Sequence, residues 1–75
     1  MEEKIVIQTQ YMTLGQALKE AAVIDSGGQA KWFLAEIPVF INDEQEAESR
    51  RGRKLYPGDT VYIEDEPAFS ITDEE

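Results

Sequence analysis

The stretch of sequence that decides the fold runs from Ser26 to Asp59 and reads SGGQAKWFLAEIPVFINDEQEAESRRGRKLYPGD. Its first four residues have the Ser-x-x-Gln form of a capping box, which satisfies unpaired backbone donors at the start of a helix. The apolar residues that follow fall at i, i+3, i+4 and i+7, namely Ala30, Phe33, Leu34 and Ile37. This spacing gives a helix one apolar face, and Pro38 limits its length, because the residue before a proline disfavours the α region. The stretch therefore predicts an amphipathic helix that packs one face on a core.

A strongly basic loop follows that helix. The short apolar segment from Val39 to Ile41 predicts a strand, and an acidic run then changes abruptly into Arg50-Arg51-Gly52-Arg53-Lys54. Four of the chain's seven basic residues lie within those five positions. Arginine forks and a lysine ammonium suit phosphate groups. The same arginines can instead pair with the acids just upstream, which are Asp43, Glu44, Glu46 and Glu48. The sequence leaves both alternatives open.

The segments outside this stretch complete an α+β pattern. Thr13-Leu14-Gly15-Gln16 repeats the capping-box form and begins a predicted helix of roughly Leu14 to Ala22. Apolar and β-branched runs predict further strands at three places, which are Lys4 to Thr9, Thr60 to Glu64 and Ala68 to Thr72. Tyr56-Pro57-Gly58-Asp59 suits a type II turn. We therefore expect two adjacent helices packed on a small, mainly antiparallel sheet.

The length and composition limit the class of protein. The 75 residues are expected to form a single domain, with a core of about residues 4–72 between short acidic ends. The apolar runs are too short to span a bilayer, and the first residues do not resemble a signal peptide, so a cytoplasmic location is expected. The chain contains no cysteine and no histidine. Because these are the most nucleophilic side chain and the commonest general base, we expect a protein that is not an enzyme and uses no metal or cofactor.

The net charge of −9 is unevenly distributed. Acidic residues crowd both ends of the chain, whereas residues 4–63 contain eight acidic and seven basic residues. The net charge therefore does not exclude an anionic partner. It predicts that any basic surface is local and that weak, non-specific binding to anions is suppressed.

Four residues outside the basic loop are candidate contacts for a nucleic acid. Lys31 falls in the first turn of the second predicted helix, and Lys19 lies on the polar side of the first. Trp32 points nearly opposite the apolar stripe, and Tyr11 lies just before the first helix. Each aromatic residue either stacks on an unpaired base or packs within the protein. The sequence does not separate these two roles.

Four segments together resemble the S4 RNA-binding domain, named for a small-subunit ribosomal protein. They are residues 13–19 (TLGQALK), 26–31 (SGGQAK), 39–44 (VFINDE) and 58–61 (GDTV). The combination of SGG-x-AKWFL with RRGRKLYPGD is similar to the short stand-alone bacterial proteins of the YaaA type. The resemblance implies an S4-like (alpha-L) fold, in which two helices pack on a curved, mainly antiparallel sheet. It also implies that the ligand is structured RNA, often ribosomal.

The resemblance assigns the RNA-facing surface to the two helices and the loop after the V-x-I-N strand. On the matching positions of this chain it implicates Lys19, Gln29, Lys31, Arg50, Arg51, Arg53 and Lys54. The chain departs from the family pattern at two places. Where many relatives carry an arginine, it has Gly27-Gly28 after the serine and Thr13-Leu14 at the start of the first helix. We therefore expect a monomeric RNA-binding protein with a reduced grip on phosphate.

Two other functions are compatible with parts of the sequence. The first is a protein-interaction module, which is suggested by the net charge and the two missing arginines. It would contact a ribosomal protein or assembly factor and have little RNA affinity of its own. The first strand, the helix after it and the late Gly-Asp-x-Val loosely resemble a β-grasp sulfur carrier. Such carriers act through a C-terminal Gly-Gly, however, and this chain ends in Thr72-Asp73-Glu74-Glu75. RNA binding is the function that the sequence favours.

Overall fold

Two short helices pack against a four-stranded sheet in the computed structural model of the chain, which describes residues 3–73. In chain order the elements are strand β1 (Glu3–Ile7), strand β2 (Met12–Thr13), helix α1 (Leu14–Glu20), a 3-10 turn (Gly27–Gln29), helix α2 (Ala30–Glu36), strand β3 (Val39–Ile41), strand β4 (Lys54–Leu55), strand β5 (Thr60–Ile63) and strand β6 (Glu66–Asp73).

The strand order in the main sheet is β1-β6-β5-β3. Strand β1 pairs with β6 in parallel, and the other two pairings are antiparallel. A separate two-stranded antiparallel sheet joins β2 to β4. The prediction of an α+β fold with two helices and a mainly antiparallel sheet is confirmed. In the part of the chain that is described, no helix is long and apolar enough to cross a membrane.

One apolar core joins the helices to the sheet. The side chains that are fully buried, or nearly so, come from both helices and from every strand of the main sheet; the largest are Phe69, Leu14, Leu18, Ile41, Leu55, Ile71, Val39 and Val61. Helix α2 contributes Ala30 and Leu34 from the stripe predicted in the sequence, while Phe33 is half-buried. Burial of such side chains supplies most of the folding free energy, at about 25 cal/mol per Å² of apolar surface.

The predicted element boundaries need four corrections. The second helix does not begin directly after Ser26, because a 3-10 turn intervenes and α2 starts at Ala30. The first strand ends at Ile7 and the first helix at Glu20, each two residues earlier than expected. The last strand is longer than predicted and begins at Glu66. Strands β2 and β4 were not predicted, because two residues are too few to show a period.

The turn at residues 56–59 forms as predicted. Gly58 has a φ of 99°, a value that glycine adopts without a steric penalty. The Asp59 amide donates to the Tyr56 carbonyl over 2.9 Å, and the Gly58 amide donates to the Ile71 carbonyl over 2.8 Å. The turn is therefore held against β6. This fixes the end of the segment that carries the basic loop.

The chain leaves helix α1 through a residue in the left-handed conformation that is not glycine. Ala22 has a φ of 62°. Its amide donates to the Lys19 carbonyl and the Val23 amide donates to the Leu18 carbonyl, both over 3.0 Å. This is the hydrogen-bond pattern of a Schellman motif, whose left-handed position is usually glycine because a Cβ is unfavourable there.

Ala22→Gly is therefore expected to stabilise the protein. The free energy gained by relieving the left-handed strain exceeds the entropic cost of glycine in the unfolded chain. The free energy of unfolding should therefore rise by about 0.5–1 kcal/mol. Thermal unfolding should show a Tm higher by about 2–8 °C. Ala35→Gly, at an exposed position in the last turn of α2, is the control and should lower the Tm. A lower Tm for Ala22→Gly would contradict the prediction.

Candidate nucleic-acid interface

The basic loop, residues Arg50–Lys54, is docked on the start of helix α1. The Gly15 amide donates to the Arg51 carbonyl over 2.9 Å, and the Leu14 amide donates to the Arg53 carbonyl over 2.8 Å. A Cβ at position 15 would lie 3.3 Å from the Arg51 carbonyl oxygen and 3.5 Å from the Ala30 Cβ. Gly15 therefore permits the loop and both helices to approach closely. The backbone of the loop has a fixed position beside α1.

Two of the three arginines in the basic loop are paired with carboxylates. Arg53 Nη1 lies 2.7 Å from Glu48 Oε1, and its Nη2 lies 2.6 Å from Glu44 Oε2. Arg50 Nε lies 3.1 Å from Glu48 Oε2. Glu48 is 8% exposed, and its amide donates to the Val39 carbonyl over 2.7 Å. Arg50 and Arg53 therefore pair with acids just upstream, which is the second of the two alternatives that the sequence left open.

The arginines determine the ionisation of these two glutamates. Burial alone raises the pKa of Glu48, but hydrogen bonds from Arg50 and Arg53 outweigh it and lower the pKa to about 2. The hydrogen bond from Arg53 also lowers the pKa of Glu44. Both carboxylates are therefore charged at neutral pH, and their pairing with arginine stabilises the folded state.

The low pKa of Glu48 predicts a specific loss of stability in acid. A carboxyl group with a lower pKa in the folded state than in the unfolded state stabilises the protein above its ordinary pKa of 4.5. That contribution is lost as the pH falls towards about 2. We expect Glu48→Gln to have a lower Tm than the wild type at pH 7. The difference should shrink between pH 4.5 and about 2, as followed by thermal unfolding. A difference independent of pH would show that Glu48 acts through packing.

Four other basic side chains are not engaged by carboxylates of the described residues. Lys19, Lys31, Arg51 and Lys54 are exposed, and none of them forms an ion pair with any residue between 3 and 73. Lys19 and Arg51 line the same groove of about 390 Å³, which we call the cation groove. The other residues that line it are Thr13, Gly15, Gln16, Gly27 and Gly52. The structure thus brings together one cation from a helix and one from the loop.

Two tyrosines and a lysine form an exposed cluster on the other side of Gly52. The rings of Tyr11 and Tyr56 have centroids 6.1 Å apart and are tilted by 51°, and Lys54 Nζ lies 4.9 Å from the Tyr11 centroid. Lys54 and Tyr56 line a second groove, of about 510 Å³, together with Arg50, Gly52 and Arg53. Tyr56 is not among the predicted contacts, because the YPGD motif indicates only a turn. Its position two residues after the basic loop is the available signal.

Three other predicted residues lie elsewhere or have internal partners. The Gln29 side-chain oxygen accepts from the amides of Asp25 and Ser26, over 2.6 and 3.3 Å, so it caps the helical segment. Lys31 is exposed in the first turn of α2 but lines neither groove beside the basic loop. Trp32 is 71% exposed and lines a different groove. The predicted residues therefore do not all line one groove.

Gly27 is one of the positions where the family resemblance leads us to expect an arginine. Gly27 lines the cation groove, and a Cβ added to it would meet no atom within 4 Å. The φ of Gly27 is not positive. Packing and backbone conformation therefore do not require glycine here, and the groove has room for a longer side chain.

Comparisons with known proteins identify the family of the chain. A family model described as S4 domain matches residues 5–72. The "Probable ribosome maturation protein RlbA" of Bacillus subtilis (strain 168) is 55% identical over 71 residues, which cover 95% of this chain and 97% of the relative. No solved structure matches the chain. The family match spans both helices, the basic loop and the main sheet, and the chain belongs to the S4 domain family.

Proposed function

We propose that the protein binds structured RNA, without catalysing a reaction, during maturation of the ribosome. The observation that carries the proposal is the cation groove, where Lys19 and Arg51 are exposed and unpaired on a fixed backbone. The S4 domain match and the name of the Bacillus relative, a probable ribosome maturation protein, support an RNA of the ribosome as the ligand.

The cation groove suits the phosphate backbone of a folded RNA. Arginine offers a planar fork of donors and lysine a compact charge, and both attract phosphate oxygens. Because Arg51 contributes its carbonyl to the start of α1, its backbone is fixed before RNA arrives. Phosphate contacts of this kind set the position and orientation of the protein, while the shape of the RNA selects the site.

The tyrosine cluster extends this surface on the other side of Gly52. Tyr11 and Tyr56 are exposed aromatic rings next to the Lys54 ammonium. A base that stacks on an exposed ring contributes about 1–3 kcal/mol, with little preference for sequence. Unpaired nucleotides beside a phosphate turn would therefore suit this part of the surface.

The chemistry of the surface favours binding over catalysis. Arginine and lysine donate hydrogen bonds and keep their charge at neutral pH, so they do not accept a proton from a reacting group. The carboxylates nearest to the loop, Glu44 and Glu48, are already engaged by arginines and have lowered pKa values. We infer a role in holding or positioning RNA, with ribosomal proteins or assembly factors as further partners in the cytoplasm.

A salt titration with fragments of ribosomal RNA tests the proposal. If the four unpaired cations Lys19, Lys31, Arg51 and Lys54 neutralise about four phosphates, the affinity should fall on the order of 10²-fold between 50 and 200 mM salt. Fluorescence anisotropy of a labelled RNA provides the measurement. An affinity that does not change over this range would overturn the proposal, because phosphate contacts release counterions.

A further inference from the structure

A third groove surrounds Trp32, apart from the two grooves beside the basic loop. It lies between α2 and the segment that follows α1, and its volume is about 560 Å³. This is within the range of about 300–1,000 Å³ that is usual for binding pockets. The apolar residues that line it are Val23, Ile24, Trp32, Phe33 and Ile37. We call this site the Trp32 groove.

The indole of Trp32 is left in contact with water. At 71% it is the most exposed of the large apolar side chains in residues 3–73. Helix α2 packs Ala30, Phe33 and Leu34 in or against the core, and the Trp32 indole is not part of that packing. Tryptophan is enriched among the residues that contribute most to protein–protein binding, because it buries a large, rigid surface. Its apolar surface is available to a partner.

The polar residues of the Trp32 groove are acidic or neutral. Asp25 and Glu36 line it together with Gln29, and no lysine or arginine does. Both carboxylates are exposed, and neither pairs with a basic group among the described residues. Such a rim repels phosphate and attracts cations, and complementary charge steers partners and fixes their orientation. The groove therefore selects against RNA and in favour of a cationic partner.

We propose that the Trp32 groove binds a basic segment of a partner protein, with an aliphatic side chain flanked by lysine or arginine. The aliphatic side chain packs on the Trp32 indole beside Phe33. The flanking cations pair with Asp25 and Glu36. A few anchors in an apolar pocket with a charged rim are typical of peptide recognition.

The Trp32 groove and the cation groove have no lining residue in common. Val23, Asp25 and Trp32 line the first, whereas Thr13, Lys19 and Arg51 line the second. A bound RNA and a bound protein segment would therefore occupy different sites on one small domain. The inference does not depend on RNA binding, since it stands on the apolar lining and the acidic rim alone.

Trp32 is the only tryptophan of the chain, so its fluorescence reports directly on this groove. The probe is a short synthetic peptide of alternating lysine and leucine with blocked ends. We expect it to shift the emission of the intact protein to shorter wavelength, with saturation. The same peptide with glutamate in place of lysine, or serine in place of leucine, should cause no saturable shift.

Two double variants separate the rim from the overall acidity of the chain. Asp25→Asn/Glu36→Gln should weaken peptide binding on the order of tenfold and leave the affinity for RNA unchanged. Glu64→Gln/Asp65→Asn removes the same charge from the turn between β5 and β6 and should leave peptide binding unchanged. Equal weakening by both variants, or equal binding of the glutamate peptide, would overturn the proposal. So would the absence of a saturable shift, or a shift caused by an oligoribonucleotide, which would show that Trp32 stacks on bases.

Discussion

Arg53→Ala is expected to lower the Tm by about 10–20 °C, which corresponds to a loss of about 2–3 kcal/mol in the free energy of unfolding. Arg53 bonds both Glu44 and Glu48, and its removal leaves the buried Glu48 carboxylate with Arg50 alone. Breaking a buried ion pair from one side is destabilising because the remaining charge has lost its compensation. Thermal unfolding at neutral pH measures the effect.

Arg51→Ala is the matched control for that experiment. It removes the neighbouring guanidinium from the same loop, but Arg51 is exposed, and its carbonyl still accepts from Gly15. The change in stability should be within about 0.5 kcal/mol. Equal Tm values for the two variants would show that the arginine–glutamate network does not hold the loop. A triple substitution of all three arginines would mix lost binding with lost stability.

Lys19→Glu/Arg51→Glu is expected to weaken binding of ribosomal RNA fragments on the order of 100-fold at moderate salt. Both residues line the cation groove, and each reversal removes a phosphate contact and adds repulsion. Because neither side chain forms an ion pair with a described residue, the fold should be retained. Anisotropy titrations, together with a Tm for each variant, separate lost binding from unfolding.

Two single charge reversals test whether the affinity for RNA depends on the position of a cation or on the net charge of the protein. Arg51→Glu and Lys4→Glu change the net charge by the same amount, but Lys4 is exposed on β1 and lines neither groove beside the loop. We expect about a tenfold loss of RNA affinity for the first and less than about threefold for the second. Equal losses would mean that RNA responds to the overall charge, and the cation groove would not be the binding site.

The sequence predicted the features that depend on neighbouring residues. The apolar stripe of α2, the two capping motifs and the turn at Gly58 are set by spacings of a few positions, and each occurs near its predicted place. The S4 resemblance also holds, since it depends on several such segments together.

The position of the basic loop could not be predicted, because it depends on contacts with a distant segment. Nothing in the run of charges shows that Arg50 and Arg53 pair inward while Arg51 remains free. That division follows from the loop docking on Leu14 and Gly15, more than thirty positions earlier in the chain. The exposure of Trp32 was likewise open, because a helix face is buried or free according to what packs on it. RNA contact by each predicted residue stays a prediction.

The parallel pairing of β1 with β6 has a consequence for how the chain folds. Strand β1 finds its neighbour only when β6 has also been made, since Ile5 lies opposite Ile71. Contacts between residues so far apart in sequence close a long loop, and they slow folding relative to a helical domain of similar size. The sheet therefore assembles only after β6 has been synthesised. Removing β6 would leave both β1 and β5 without a partner on that side.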